Sequence, residues 1–208
     1  MAVIFNDTDT GFQVGIWQIL EDQADLESGM AYRSEAVNAE RRIQQLASRK
    51  MLFLLAPELD SNRIEIAPSG KPIDSLNRVM FSISHTKGYA AAIACNGMHT
   101  GIDIELISER ASRIAPRFLN SREIKLIEQS RRNIDIYGMH TLCWSIKETV
   151  YKWWGRPGID FARQIEIKEL KEEGDVEVCC MFDSYQRTCG VTVKRFNDLW
   201  LTYMKEMH

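Results

Sequence analysis

Apolar and polar residues alternate in several short stretches of the chain, a pattern typical of half-buried strands. The alternation predicts strands at residues 11–20, 63–67, 79–84, 89–95 and 98–105. The pair Asn96-Gly97 favours a tight hairpin, so the strand ending at residue 105 is expected to pair with residues 89–95. After residue 164 the chain alternates again, in three or four strand-like runs with turns near Gly174, Ser184 and Asn197.

Between these stretches, apolar residues recur at helical spacing. They predict helices at residues 21–30, 34–55, 122–129 and 139–154. Residues 68–72 are expected to form a loop, because Pro-x-Gly-x-Pro continues neither regular structure. The order of elements predicts an α+β fold with two coarsely similar halves, an N-terminal lobe of residues 1–100 and a C-terminal lobe of residues 101–208.

Two acids alternate with isoleucines at the end of one predicted strand, in Gly101-Ile102-Asp103-Ile104-Glu105. Since side chains of a strand repeat every two residues, Asp103 and Glu105 should share a face. Paired carboxylates repel each other unless a cation lies between them, and oxygen ligands are what Mg²⁺ prefers. A solvated strand edge that carries two acids is the alternative.

The helix predicted near residue 150 carries Glu148 and Lys152 four residues apart, hence on one face. An ordinary surface ion pair is the alternative, worth about 0.3–0.5 kcal/mol. However, the same helix is rich in tryptophan and aliphatic residues, which indicates that it is largely buried. Its charged pair is therefore expected to line a cleft.

Two further segments carry phosphate-binding chemistry. Ser84-His85-Thr86 ends a predicted strand, where hydroxyls, an imidazole and turn amides can bind phosphate. Gly70-Lys71-Pro72 presents a lysine on a rigid loop. A histidine with a purely structural hydrogen bond and a merely solvated lysine are the alternatives.

Composition limits the functional classes. The net charge of −3 gives no global basic field, so nucleic acid is not expected as a partner. Seven basic residues against two acidic ones make residues 110–132 locally basic, which suits an acidic partner or phosphate, or else is a solvated helix face. The seven are Arg110, Arg113, Arg117, Arg122, Lys125, Arg131 and Arg132.

The cellular location is expected to be cytoplasmic. Five cysteines without C-x-x-C spacing argue against a disulfide framework or a zinc site and for a reducing compartment. Residues 1–10 lack the basic and apolar regions of a signal peptide. No apolar run approaches the ~20 residues that span a bilayer, so no membrane is expected as a partner.

In order and spacing, three of these motifs resemble the signature of the Sfp-type 4′-phosphopantetheinyl transferases. They are Ser84-His85-Thr86, then Gly101-Ile102-Asp103-Ile104-Glu105, then Trp144-Ser145-x-Lys147-Glu148-x-x-x-Lys152, while Gly70-Lys71-Pro72 matches a further family element. The resemblance covers about residues 40–160. It implies two similar α+β lobes related by a pseudo-twofold, with coenzyme A in the cleft between them.

The resemblance also implies an activity, the Mg²⁺-dependent transfer of 4′-phosphopantetheine from coenzyme A to a serine of an apo acyl or peptidyl carrier protein. Adenosine 3′,5′-bisphosphate is the by-product. Asp103, Glu105 and Glu148 would hold Mg²⁺, and Glu148 is also the candidate base. Lys152 would bind phosphate or protonate the departing oxygen.

For coenzyme A, the resemblance implies contacts with the following residues. His85, between Ser84 and Thr86, would contact a phosphate, and Lys71 would lie near the adenosine end. The family offers early basic residues for the 3′-phosphate, and Arg33, Arg41, Arg42 and Arg49 are the candidates here. Arg42 and Arg49, seven residues apart on one helix face, are preferred over the alternative of plain surface arginines.

An acidic carrier protein is expected to dock on the basic segment 110–132, and the two-lobed length suggests a monomer. The first alternative is a catalytically idle module that binds coenzyme A or a nucleotide. The second is a Mg²⁺-dependent hydrolase of phosphoanhydrides, which would release adenosine bisphosphate without any carrier protein.

Overall fold

The computed structural model describes residues 2–9, 11–30, 32–130, 134–182 and 185–205. Two antiparallel sheets, each covered by one long helix, confirm the predicted α+β class. None of the helices in these ranges combines the length and the apolar composition needed to cross a membrane. The predicted turn at Ser184 lies outside the described residues.

The first sheet has four strands. In spatial order they are β1 (Ala2–Asp9), β2 (Phe12–Gln18), β6 (Tyr89–Cys95) and β5 (Met80–Thr86). Helix α2 (Ala39–Leu55) packs on this sheet. Its inward stripe, with Leu46, Met51 and Leu52 fully buried, closes the core, which is why apolar residues recur along it at helical spacing.

The second sheet has five strands. In spatial order they are β7 (Thr100–Leu106), β11 (Leu199–Lys205), β10 (Tyr185–Phe196), β9 (Gly174–Phe182) and β8 (Ile165–Ile167). Helix α5 (Ile136–Trp154) packs on β7 and β11. It begins at an Asp135 N-cap and ends at Gly155, whose φ of 69° is the left-handed conformation that glycine adopts readily.

The remaining elements are short. They are α1 (Gln23–Glu27), a 3₁₀ turn (Ser61–Arg63), the strand pair β3 (Ile64–Ile66) and β4 (Pro72–Asp74), α3 (Glu109–Phe118), α4 (Ser121–Ser130) and α6 (Phe161–Gln164). The turn between β3 and β4 carries Lys71 and lies beside the end of α5. There the Lys71 ammonium donates to the carbonyl oxygen of Lys152 at 2.6 Å.

The predicted hairpin at Asn96-Gly97 is wrong. Both edges of β6 are already paired, one with β2 and the other with β5, so the following strand has no free edge to join. Strand β7 instead pairs with β11 in the other sheet. Residues 96–99 therefore connect the two sheets, and the acidic pair lies where they meet.

Strands β5 and β7 face each other through side chains rather than through a backbone ladder. The backbone N–H of Ile102 donates to Ser82 Oγ at 3.2 Å, and Ser84 Oγ donates to Asp103 Oδ1 at 2.8 Å. These serines are buried, so each hydroxyl satisfies a polar group that the contact removes from water. The contact sets the end of the first sheet against the acidic strand of the second.

Gly101 sets the distance between β7 and α5. A Cβ at this position would lie 2.1 Å from the carbonyl oxygen of Thr149 and 2.8 Å from the backbone nitrogen of Trp153. Both are backbone atoms of the helix, which cannot rotate away as a side chain would. The glycine that precedes the acidic pair thus lets α5 lie close to β7, with Glu148 and Lys152 beside Asp103.

Candidate active site

Three acidic side chains and one lysine line a cavity of about 620 Å³, the carboxylate cavity, where the two sheets meet. Strand β7 supplies Asp103 and Glu105, and helix α5 supplies Glu148 and Lys152. The two acids of β7 therefore share a face, as their alternation with isoleucine predicts. The cavity is also lined by Ser84, His85, Arg41, Arg49, Arg110 and Trp144.

Asp103 is the most enclosed of the carboxylates, at 3% exposure. Its Oδ1 accepts from Lys152 Nζ at 2.6 Å and from Ser84 Oγ at 2.8 Å, and the same ammonium donates to Ser84 at 2.9 Å. Its Oδ2 is buried and has no hydrogen-bond donor among the described residues. One oxygen of this carboxylate is thus positioned to accept a further ligand.

The pKa values of Glu105 and Glu148 are both raised. Burial, together with the nearby Asp103 charge, raises the pKa of each to about 7, although Lys152 and Arg110 act in the opposite direction. Glu105 also accepts from the Trp144 indole at 3.3 Å and from Thr86 Oγ1 at 3.5 Å. An additional cation in the cavity would stabilise the ionised form of both carboxylates.

The predicted metal ligands are not gathered into a finished site. Within the described residues, no three His, Cys, Asp or Glu side chains are placed to hold a metal ion together. The positive charge beside Asp103 is the Lys152 ammonium. The donor set nevertheless fits a divalent cation such as Mg²⁺, because Asp103 Oδ2 is unpartnered and the two other carboxylates carry raised pKa values.

His85 lines the same cavity as the carboxylates. Burial, with Lys152 and Arg41 nearby, lowers its pKa to about 4, so the ring is neutral at pH 7. A neutral imidazole still donates one hydrogen bond, and Lys152 and Arg41 already supply positive charge. Thr86, the next residue, instead turns its hydroxyl toward Glu105.

The candidate arginines of α2 have different surroundings. Arg49 lines the cavity at 5% exposure, stacks over Tyr32 at 5.0 Å, and has a buried Nη1 without a partner among the described residues. Arg41 lines the cavity as well. The Arg42 guanidinium instead donates from Nη2 to the carbonyl oxygen of Ala36 at 2.9 Å. Arg41 and Arg49 are therefore the two arginines of α2 that line the cavity.

The Lys71 ammonium is bound within the protein. Its ammonium donates to the carbonyl oxygens of Lys152 and Thr100, at 2.6 and 3.2 Å, and burial lowers its pKa to about 8. It thus satisfies the carboxyl end of α5. Its neighbours Gly70 and Pro72 line the carboxylate cavity.

Helix α5 also carries one partner of a buried ion pair that was not predicted from the sequence. Lys147, at 0% exposure, donates to Glu123 Oε2 at 2.8 Å and to the carbonyl oxygens of Phe161 and Ile165 at 2.9 and 2.6 Å. Glu123, at 1% exposure, also accepts from the backbone N–H of Ile167. The sequence contained a signal for this burial, because Lys147 lies in a largely apolar helix, most of whose residues must be buried.

The basic segment borders the site. Arg110 lines the carboxylate cavity, whereas Arg113 and Arg122 are about four-fifths exposed and pair with Glu109 and Glu166. Arg117 lines an adjoining groove of about 520 Å³ together with Phe118, Trp144 and Phe161. Since Trp144 lines both, the groove and the carboxylate cavity are neighbours. Residues 131–132 lie outside the described residues.

Residues 99–194 match the family model described as the 4′-phosphopantetheinyl transferase superfamily. The matched region contains the acidic strand β7, the groove and the whole of α5. No curated protein matches the chain.

Proposed function

We propose that the protein transfers 4′-phosphopantetheine from coenzyme A to a serine of an apo carrier protein, because residues 99–194 match the family model of the 4′-phosphopantetheinyl transferase superfamily. One observation carries the proposal: Asp103, Glu105, Glu148 and Lys152 line a single cavity together with His85. This set combines oxygen ligands, a base and phosphate-binding groups. A phosphoryl-type transfer between two oxygens needs all three.

Coenzyme A would lie in the cleft between the N-terminal lobe, residues 1–100, and the C-terminal lobe, residues 101–208. Ser84 and His85 bring hydrogen-bonding groups to the pyrophosphate, and Lys152 brings its charge. Arg41 and Arg49 suit the 3′-phosphate, because a guanidinium binds phosphate oxygens bidentately. Both lobes supply their residues within one chain, which supports a monomer, and five free thiols support a reducing, cytoplasmic location.

In the transfer, the serine Oγ of the carrier forms a bond to the phosphorus of the pantetheine phosphate, and the bond from that phosphorus to adenosine 3′,5′-bisphosphate breaks. Glu148 accepts the serine proton, a role that typically contributes ~10²–10⁴-fold. Lys152 leaves Asp103 for the departing phosphate oxygen, where negative charge develops. Thr86 and Trp144 hold the Glu105 carboxylate in place.

A divalent cation, proposed to be Mg²⁺, would be held by Asp103, Glu105 and Glu148. When bound, it would neutralise the charge of the pyrophosphate. Lys152 contacts Oδ1 of Asp103 at 2.6 Å, so the unpartnered Oδ2 would be the oxygen that Asp103 offers to the cation.

The test incubates the protein with coenzyme A and Mg²⁺, with and without apo carrier protein. Chromatography then measures the release of adenosine 3′,5′-bisphosphate. The proposal predicts release that depends on the carrier. Release without a carrier would identify a hydrolase of phosphoanhydrides. Binding of coenzyme A without release under either condition would identify an idle binding module.

Arg49→Gln is expected to weaken coenzyme A binding by about tenfold or more, since a charge-assisted hydrogen bond to phosphate is lost. Affinity for 3′-dephospho-coenzyme A should not change. Isothermal titration with both ligands measures the difference. Arg42→Gln is the matched control on the same helix and should leave both affinities unchanged; equal weakening of both ligands by Arg49→Gln would contradict the assignment.

The triple variant Arg113→Glu/Arg117→Glu/Arg122→Glu should raise the KM for carrier protein by about tenfold or more, because repulsion replaces attraction toward an acidic partner. Coenzyme A affinity should stay the same. Steady-state kinetics at varied carrier concentration measures the effect. A control with three reversals elsewhere, Lys50→Glu/Arg78→Glu/Lys171→Glu, should change the KM little; equal KM values for both variants would reject the docking surface.

A further inference from the structure

Three hydroxyl side chains are buried between α5 and β11, and we call them the hydroxyl cluster. Ser145 and Thr149 lie four residues apart on the helix, hence on one face, and Thr202 lies on the strand that this face covers. All three residues have 0% exposure. The proposed transfer assigns none of them a role.

Thr202 joins the other two members of the hydroxyl cluster. Its Oγ1 lies 2.8 Å from Ser145 Oγ and 2.7 Å from Thr149 Oγ1. It also donates to the carbonyl oxygen of Ser145 at 3.0 Å, while Thr149 Oγ1 donates to the carbonyl oxygen of Thr202 at 3.0 Å. Each hydroxyl proton thus has an acceptor, and a buried network that is fully satisfied specifies one arrangement of the groups that it joins.

The surroundings of the hydroxyl cluster are apolar. Helix α5 and strand β11 contribute residues to one buried apolar core, among them Val150 and Met204. Apolar burial is non-directional, whereas hydrogen bonds have preferred distances and angles. Another hydrogen bond between the two elements, from the Trp200 indole to the carbonyl oxygen of Gly138, lies about three turns before Glu148. The hydroxyl cluster therefore supplies the directional contacts that set the register of α5 along β11 close to Glu148.

The hydroxyl cluster adjoins the carboxylates of the site on both of its elements. On the sheet, Thr202 lies directly opposite Asp103 in the ladder between β11 and β7, so both side chains point to the same face. On the helix, Glu148 lies between Ser145 and Thr149 in the sequence. A register that is set at Thr202 therefore also sets the position of Glu148 relative to Asp103.

We propose that Thr202 is a positioning residue for the transfer, whose hydroxyl holds α5 in the register that places Glu148 beside Asp103. Thr202 is fully buried, so it acts through the helix and does not contact the substrate. Its effect on the rate rests on the proposed function, whereas its effect on the register does not. A misplacement of about 1 Å can cost ~10²-fold in rate, so the loss of this register should be measurable.

Two substitutions of Thr202 separate its hydroxyl from its packing. Thr202→Val keeps the branched shape and removes the hydroxyl, whereas Thr202→Ser keeps the hydroxyl and removes a methyl group. At saturating coenzyme A, Mg²⁺ and carrier protein, the valine variant is expected to lower kcat by about tenfold or more, with the KM for coenzyme A unchanged. The serine variant should retain most of the kcat. Thr100→Val is the matched control, because the buried Thr100 hydroxyl donates to the carbonyl oxygen of Met204 on β11 rather than to α5.

Crystal structures of the unmodified protein and of both Thr202 variants test the register without any need for activity. Residues 145–152 are expected to move relative to β11 in Thr202→Val and to stay in place in Thr202→Ser. If Thr202→Val does not fold, Ser145→Ala, which removes one bond of the cluster, should move the same segment by less.

An unmoved α5 in the variant that folds would overturn the proposal. An equal loss of kcat in Thr202→Val, Thr202→Ser and Thr100→Val would also overturn it, because the loss would then follow stability and not the hydroxyl. The predicted movement of α5 in a protein that shows no transfer would support the register and reject the proposed function alone.

Discussion

Glu148→Gln is expected to lower kcat of the transfer by about 10²–10⁴-fold, because the amide cannot accept the proton of the attacking serine. The substitution preserves size in a cavity where burial and Asp103 raise the pKa of this carboxyl to about 7. Single-turnover rates at saturating coenzyme A, Mg²⁺ and carrier protein measure the effect. Glu128→Gln, exposed on α4, is the matched control.

The same variant separates the two proposed roles of Glu148. If Mg²⁺ and coenzyme A still bind while turnover is lost, the side chain acts mainly as the base. If Mg²⁺ affinity falls together with turnover, it acts mainly as a ligand. A kcat within a factor of two or so of the unmodified protein would contradict both roles.

Lys147→Met is expected to lower the free energy of unfolding by about 3–5 kcal/mol, the usual cost of leaving one partner of a buried ion pair uncompensated. Glu123 would keep its charge at 1% exposure, and the carbonyl oxygens of Phe161 and Ile165 would lose their donor. Urea denaturation followed by circular dichroism measures the change. Lys125→Met, exposed on α4, is the matched control.

A second substitution tests the cause of this loss. Lys147→Met/Glu123→Leu removes both charges and should recover much of the lost stability, since apolar replacements of a buried pair are often neutral or stabilising. It would still lack the donors to Phe161 and Ile165, so the recovery should be incomplete. A loss under 1 kcal/mol in the single variant would show that the pair is not anchoring α5.

Local patterns predicted much of the site. Alternation placed Asp103 and Glu105 on one face of β7, and the spacing of Glu148 and Lys152 placed both on one face of α5. These relations depend only on the periods of a strand and a helix. The sequence pattern therefore predicted which residues share a face without knowledge of the tertiary fold.

Relations between distant segments were harder to predict. The Asn96-Gly97 signal is a real turn preference, but the edges of β6 are taken by β2 and β5, and only the tertiary fold reveals that. Arg42 and Arg49 do share a helix, yet Ala36 binds the first through its carbonyl while the second faces the cavity. Strand β1, at an edge of its sheet, was not predicted: residues 2–5 are apolar, but residues 6–9 are all polar and show no alternation.

Charged side chains gave the least reliable predictions. Lys71 was expected to be solvated or to lie near coenzyme A, and Lys147 was noted only as part of the family motif, but each donates to backbone carbonyl oxygens inside the protein. A lysine stem reaches several acceptors, so its partner depends on packing around it. The composition of α5 indicates that Lys147 is buried, but the sequence pattern does not show which acceptors its ammonium contacts.

Intact mass spectrometry of an apo carrier protein tests the central claim most directly. After incubation with this protein, coenzyme A and Mg²⁺, the account predicts that the carrier gains one phosphopantetheine group. The gain should disappear with EDTA and with Asp103→Ala. No gain on fatty-acid, polyketide and peptidyl carriers, with coenzyme A still bound to the protein, would contradict the account.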